Sequence, residues 1–159
     1  MSIERILAEM VSILDRKSQR LKLILDLTRR QGVLLSDGSI EKLADILQIK
    51  QECMEDIDRL DKLYNARYKS YSEHIDEIRK KSETDSSVAA LMGRLQDGIA
   101  VIEGYLKQIS DADSQNHLKA GNLIDSIRNN LQTVERDKRA AVVYGNYYNA
   151  PKTVFDKQK

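Results

Sequence analysis

The sequence predicts an all-α fold, an elongated antiparallel bundle of three long helices with coiled-coil-like packing. Apolar residues recur three and four positions apart through most of the 159 residues, a spacing that lines one face of a helix and not the alternating faces of a strand. A lone proline at position 151 leaves the pattern before it free of obligatory breaks. Turn formers collect at two places, so the pattern divides into three.

The first pattern runs Ile3, Leu7, Met10, Leu14, Leu21, Ile24 and Leu35, with Lys17, Thr28 and Gln31 filling the remaining steps. Ile6, Ile13, Leu25, Leu27 and Leu34 broaden the apolar face beyond a two-stranded seam, so this helix should touch two neighbours. Ser36-Asp37-Gly38-Ser39 then supplies a tight reversal, with Ser39 a candidate cap for the next helix. From Ile40 the alternation resumes through Leu43, Leu47, Lys50, Met54, Ile57, Asp61, Tyr64, Tyr68, Tyr71, Ile75 and Ile78, predicting one helix from Ile40 to Lys80. At ~1.5 Å per residue it would be on the order of 60 Å long, which is why an elongated molecule is expected.

Lys81 to Ser87 reads as the second connection, with Ser82, Thr84, Asp85, Ser86 and Ser87 as candidate caps. The third pattern begins Val88, Met92, Leu95, Ile99, Ile102, Leu106, Ile109 and returns after polar residues 111–116 as Ala120, Leu123, Ile124, Ile127, Leu131, Val134 and Ala141. Residues 88–143 form one helix or two meeting near 111–116; the helix-tolerant composition there favours one. Gly93, Gly98 and Gly104 make this the loosest element. Gly145-Asn146 closes the pattern, giving one bundle domain over 1–145 and a flexible C-terminal tail over 146–159.

Composition excludes several classes. Lys plus Arg total 26 against 25 for Asp plus Glu, with the signs interspersed, so no concentrated positive field serves nucleic acid. The apolar runs are too short to cross a bilayer, which predicts a soluble protein without membrane insertion. Met1-Ser2-Ile3-Glu4-Arg5 meets acidic residues at once and predicts no secretory signal, and the lone Cys53 suits a reducing cytoplasm. His74 and His117 lie on different helices, and Cys53 beside Met54 reads as a small core residue. Zinc spacings, a phosphate loop and the Glu-x-x-His of carboxylate-bridged metal bundles are missing. No cofactor, metal or catalytic residue is expected, and the chain reads as a non-enzyme.

Most of the apolar residues serve the bundle's own packing. The surplus matters more, because a shallow groove between long helices can accept an amphipathic helix from a partner. Tyr64, Tyr68 and Tyr71 suit either a bundle edge or an interface, since a tyrosine buries its ring while keeping its hydroxyl wet. A structural or regulatory coiled-coil protein acting through homo-oligomerisation is the alternative from another class.

The Leu-rich first helix, the turn with Asp37 and Gly38, and the series Leu43, Leu47, Lys50, Ile57, Leu60 with a basic residue by Arg67 recur in a known order. Further along, Asn122-Leu123-Ile124 with Ser126 is similar to an Asn-x-x-Leu-Ile-type segment, and Tyr144-Gly145 follows it. In this order and spacing, over nearly the whole chain, the sequence resembles the FlgN-type flagellar export chaperones. The resemblance implies a cytoplasmic bacterial helical bundle that binds C-terminal amphipathic helices of flagellar hook-filament junction proteins. It further implies prevention of premature assembly and delivery to the cytoplasmic domain of the flagellar export gate. Separately, a homodimer is expected as one form of the free protein. Carried onto this chain, the substrate face is Leu123, Ile124, Ile127, Leu131 and Val134, and Tyr144 is the gate contact.

Overall fold

The computed structural model describes the backbone of residues 1–158 and the side chains of residues 1–146. The described residues are all-helical and contain no strand: α1 (Ile3–Asp37), a 3₁₀ turn (Ile40–Lys42), α2 (Leu43–Glu73), α3 (Ile75–Thr84) and α4 (Ser86–Gln158). The chain forms two units, Met1–Leu118 and Lys119–Lys159. The second contains only α4 among its described residues.

Helix α1 starts where the Ser2 hydroxyl accepts the Arg5 amide at 3.2 Å and ends at Gly38, whose φ of 71° favours a residue without a Cβ. The Ser39 amide bonds back to the Leu34 carbonyl at 3.0 Å, closing the helix end. Ser39 itself makes no side-chain cap; the 3₁₀ turn leads into α2 instead.

Four helices stand where three were expected, because the element predicted from Ile40 to Lys80 breaks at His74. There the backbone leaves helical geometry, at φ −113° and ψ 14°. The His74 ring Nδ1 lies 2.8 Å from the Ser70 carbonyl, a local bond that competes with the helix ladder. The short α3 then buries Ile78 completely and pairs Lys81 with Glu4 at the start of α1. The second connection shrinks from Lys81–Ser87 to the single residue Asp85, whose Oδ1 accepts from the Ser87 amide at 2.9 Å and the Ser87 hydroxyl at 2.6 Å. Asp85 thus caps α4, and these bonds hold its carboxyl below the usual carboxylate range.

Charge pairs give the chain directions within the first unit. Glu9 meets Arg67, Lys17 meets Asp61 at 2.7 Å and Arg20 meets Asp56 at 3.3 Å, so α1 and α2 run antiparallel. Asp15 faces Arg94 at 3.8 Å, and Arg29 donates to Gln108 at 3.2 Å, so α4 runs parallel to α1. Helix α4 is therefore antiparallel to α2, and Lys50 reaches Asp113 between them at 3.6 Å.

Polar residues that interrupt the apolar patterns find each other. Lys17 and Asp61, which fill core-facing steps of their helices, form the pair just described; Lys50 Nζ donates to Gln31 Oε1 at 3.2 Å. Asn116, 7% exposed, donates from Nδ2 to the Thr28 carbonyl at 2.8 Å. A polar group in an apolar seam is satisfied only when its partner is level with it, so these contacts fix the register of the three long helices. They also explain why α4 passes through 111–116 unbroken: Asp113 and Asn116 have partners on α2 and α1.

Between these layers the core consists of Ile6, Leu7, Met10, Val11, Leu14 and Leu21 from α1, with Ile78, Val88, Leu95 and Ile102 packed on them. The line that α2 contributes keeps Lys50, Ile57, Tyr64 and Tyr71 of the expected one on the core side but differs by one residue at other steps. Ile46, Lys50, Cys53 and Leu60 are buried, whereas Ile40, Leu47, Met54 and Tyr68 are exposed. Ile99 and Leu106 of α4 are likewise exposed. Cys53 is a core residue, and burial pushes its thiol pKa up.

The second helical unit holds its own short-range contacts, Thr133 to the Asn129 carbonyl at 3.0 Å and Arg139 to Glu135 at 3.8 Å. Helix α4 is assigned beyond the expected cap at Gly145-Asn146, to Gln158. Side chains of 147–158, and Lys159 altogether, lie outside the described residues, so most of the expected flexible tail, 146–159, has no described side chains. Among the described residues, no helix is long and apolar enough to cross a membrane.

Candidate protein-binding face

Leu123, Ile124, Ile127, Leu131 and Val134 follow one another at helical intervals on α4. At about 100° per residue they fall within an arc of about 100°, so they form one apolar face. Ile124, Ile127, Leu131 and Val134 are 51%, 44%, 57% and 48% exposed. Leu123 is partly buried at the edge of the arc.

The same helix shows what such a stripe looks like when covered. Val88, Leu95 and Ile102 follow at seven-residue steps, and the core of the first unit buries them almost completely. Helix α4 therefore carries core-like spacing in both units, sealed in the first and open in the second. Arg128 and Glu135 border one side of the open stripe, whereas Asp125 and Arg136 lie on the opposite face of the helix.

Tyr144 is also exposed. It lies about 110° around the helix from the centre of the stripe, so a partner on the apolar face and a partner at Tyr144 would approach from different sides.

Sequence reasoning did not find a second apolar surface, which lies in the first unit. Leu106, Ile109, Ser110, Asp113, His117 and Leu118 line an open depression on α4, with Leu106 and Leu118 well exposed. Leu106 stood in the third apolar pattern, but spacing alone cannot tell a covered step from an uncovered one. His117 is exposed there, while His74 sits at the α2–α3 break. Among the described residues, no cluster of His, Cys, Asp and Glu could hold a metal ion.

The family model described as FlgN protein matches residues 1–152. Searches of curated proteins and of solved structures find no match. The family match leaves out only seven of the 159 residues, and the chain belongs to the FlgN family.

Proposed function

We propose that this chain is a cytoplasmic flagellar export chaperone that binds the C-terminal amphipathic helices of hook-filament junction proteins. Bound cargo is kept from premature assembly and delivered to the cytoplasmic domain of the export gate. The role is non-catalytic and needs no cofactor. Membership of the FlgN family supports the general role. The observation that carries the binding reading is the open stripe on α4, where four large aliphatic side chains remain roughly half exposed. An amphipathic helix laid along it would bury apolar anchors at one-turn spacing, as in other helix-in-groove complexes. Tyr144 serves as the gate contact, on a different side of α4.

Ile127→Asp combined with Leu131→Asp tests this reading. Full burial of an exposed aliphatic side chain is worth ~1.5 kcal/mol or more; with about half of each surface still to be buried, losing two anchors weakens cargo binding at least about tenfold. Both side chains are exposed, so helical content by circular dichroism should remain nearly unchanged. A collapse of the helix signal would place them in the core and overturn the assignment; unchanged capture of a junction-protein C-terminal peptide would do the same. Tyr144→Ala should leave capture intact and reduce gate binding. Sedimentation separates the coiled-coil alternative, since a tight homodimer indifferent to such peptides would be a structural protein. A homodimer of the free chain that dissociates on adding peptide fits the chaperone.

A further inference from the structure

A concavity of about 270 Å³ opens between α1 and α2 within the first unit. Its charged lining is Arg16 and Arg20 from α1 with Asp56 and Arg59 from α2, and Leu60 and Leu63 supply its apolar wall. Positions 16 and 20 are one turn apart on α1, and 56, 59, 60 and 63 share one face of α2, so the antiparallel pairing brings both sets together.

One carboxylate organises this site. Asp56 Oδ2 receives Arg20 Nε at 3.3 Å, while its Oδ1 pairs with Arg59 Nη2. Guanidinium groups from two helices are thereby held toward each other. Arg16 stands beside them with no ion-pair partner among the described residues. Three positive charges against one negative leave a net of about +2 within a small concavity, and like charges so close are tolerable only where an anion or solvent screens them. The register of the bundle does not require this excess, since Lys17–Asp61 and Lys50–Gln31 already align the helices. Leu60 is buried at the floor and Leu63 is half exposed at the rim, so the wall offers an apolar contact next to the guanidiniums.

We propose that this concavity is a docking pocket for an acidic, apolar-flanked segment of a partner protein. A Glu or Asp carboxylate is received by Arg16 and Arg59, and a Leu or Ile one turn away packs on Leu60 and Leu63. Planar guanidinium matches planar carboxylate through paired N–H donors, and the Gln19 amide in the lining adds a further polar partner. The pocket lies on α1 and α2 and does not rest on the cargo-binding reading of α4.

The test uses the intact chain and a fluorescent helix-forming peptide with Glu and Leu at one-turn spacing. Its counterpart with Gln for Glu and inorganic phosphate are the comparison titrants. The side-chain Nε–H signals of Arg16, Arg20 and Arg59 should shift saturably with the acidic peptide, more weakly at high salt. Arg16→Ala, which removes no ion pair and leaves the fold intact, should lower affinity about tenfold. Arg16→Lys should recover only part of it, and Ile127→Asp with Leu131→Asp should leave these arginine shifts unchanged. The proposal is overturned if the arginine signals do not move, or if the Gln peptide binds equally. It is overturned as well if phosphate alone produces the full response with no gain from the peptide, which would make the site a pocket for a free ion.

Discussion

Alanine in place of single glycines of α4 should stabilise the protein at two positions and fail to do so at a third. A Cβ built on Gly93 or Gly104 meets nothing within 4 Å, whereas on Gly98 it would lie 3.2 Å from Cδ1 and 3.3 Å from Cβ of Leu14. Alanine is favoured over glycine in a helix interior by about 1 kcal/mol, and at the open positions nothing offsets that gain. Gly93→Ala and Gly104→Ala should each stabilise by that amount and raise Tm by about 3 °C for a chain of this size. At Gly98 the same gain is opposed. Leu14 Cδ1 can rotate away, but its Cβ is fixed by the α1 backbone, and the residue is buried at 6% exposure. Overpacking of this kind costs about 1 to 3 kcal/mol, so Gly98→Ala is expected to range from neutral to about 2 kcal/mol destabilising. Urea denaturation of the three variants, followed by far-UV circular dichroism, makes the comparison. Equal stabilisation at all three positions would refute the close approach of α4 to α1 at Leu14.

Two further outcomes follow from the polar contacts. Asn116→Ala removes the buried bond to the Thr28 carbonyl and should cost about 1 kcal/mol by urea denaturation; no loss would mean that the Asn116 layer does not hold α4 on α1. Acid should weaken the fold through three carboxylates. The bond from Lys81 lowers the pKa of Glu4, the bond from Arg5 lowers that of Glu9, and the Ser87 hydroxyl lowers that of Asp85. A carboxylate depressed on folding contributes stability above its unfolded pKa and loses it as pH falls through the folded value, so the urea midpoint should drop below roughly pH 4. Lys81, raised by Glu4, acts in the opposite sense: its contribution is complete below the ordinary lysine value and is lost as pH climbs through the folded one. Glu4→Gln together with Asp85→Asn should flatten the acid limb; an unchanged limb would assign it to other groups.

The long amphipathic patterns, the reversal at Gly38 and a cap at Asp85 could be read from residue order, because each depends on neighbours within a turn or two. The break at His74 could not. Histidine is an ordinary helix residue, and only the need to bury Ile78 and bring Lys81 to Glu4 redirects the chain there. The phase of α2 was hidden for a different reason. Leu47 and Met54 lie directly beside Ile46 and Cys53, so two adjacent lines have the same period, and both pass through Lys50. The choice between them rests on which side neighbouring helices cover, Ile46 and Cys53 being buried and Leu47 and Met54 exposed, a relation between helices that no single pattern contains.

The same distinction explains how much of the proposed binding face was visible. Spacing identified Leu123, Ile124, Ile127, Leu131 and Val134 as one face, just as it identified Val88, Leu95 and Ile102. It could not say which of the two stretches has its face covered. Coverage decides their roles: the buried stretch stabilises the first unit, whereas the exposed one carries side chains that gain by leaving water. An isolated helix is only marginally stabilised by its own backbone bonds and draws most of its stability from packing an apolar face. Docking a second amphipathic helix on Ile124, Ile127, Leu131 and Val134 would therefore firm up α4 as well as shield the guest. Helix content and cargo capture should rise together when a cargo peptide is titrated in, and capture without any gain in helical protection would break that link.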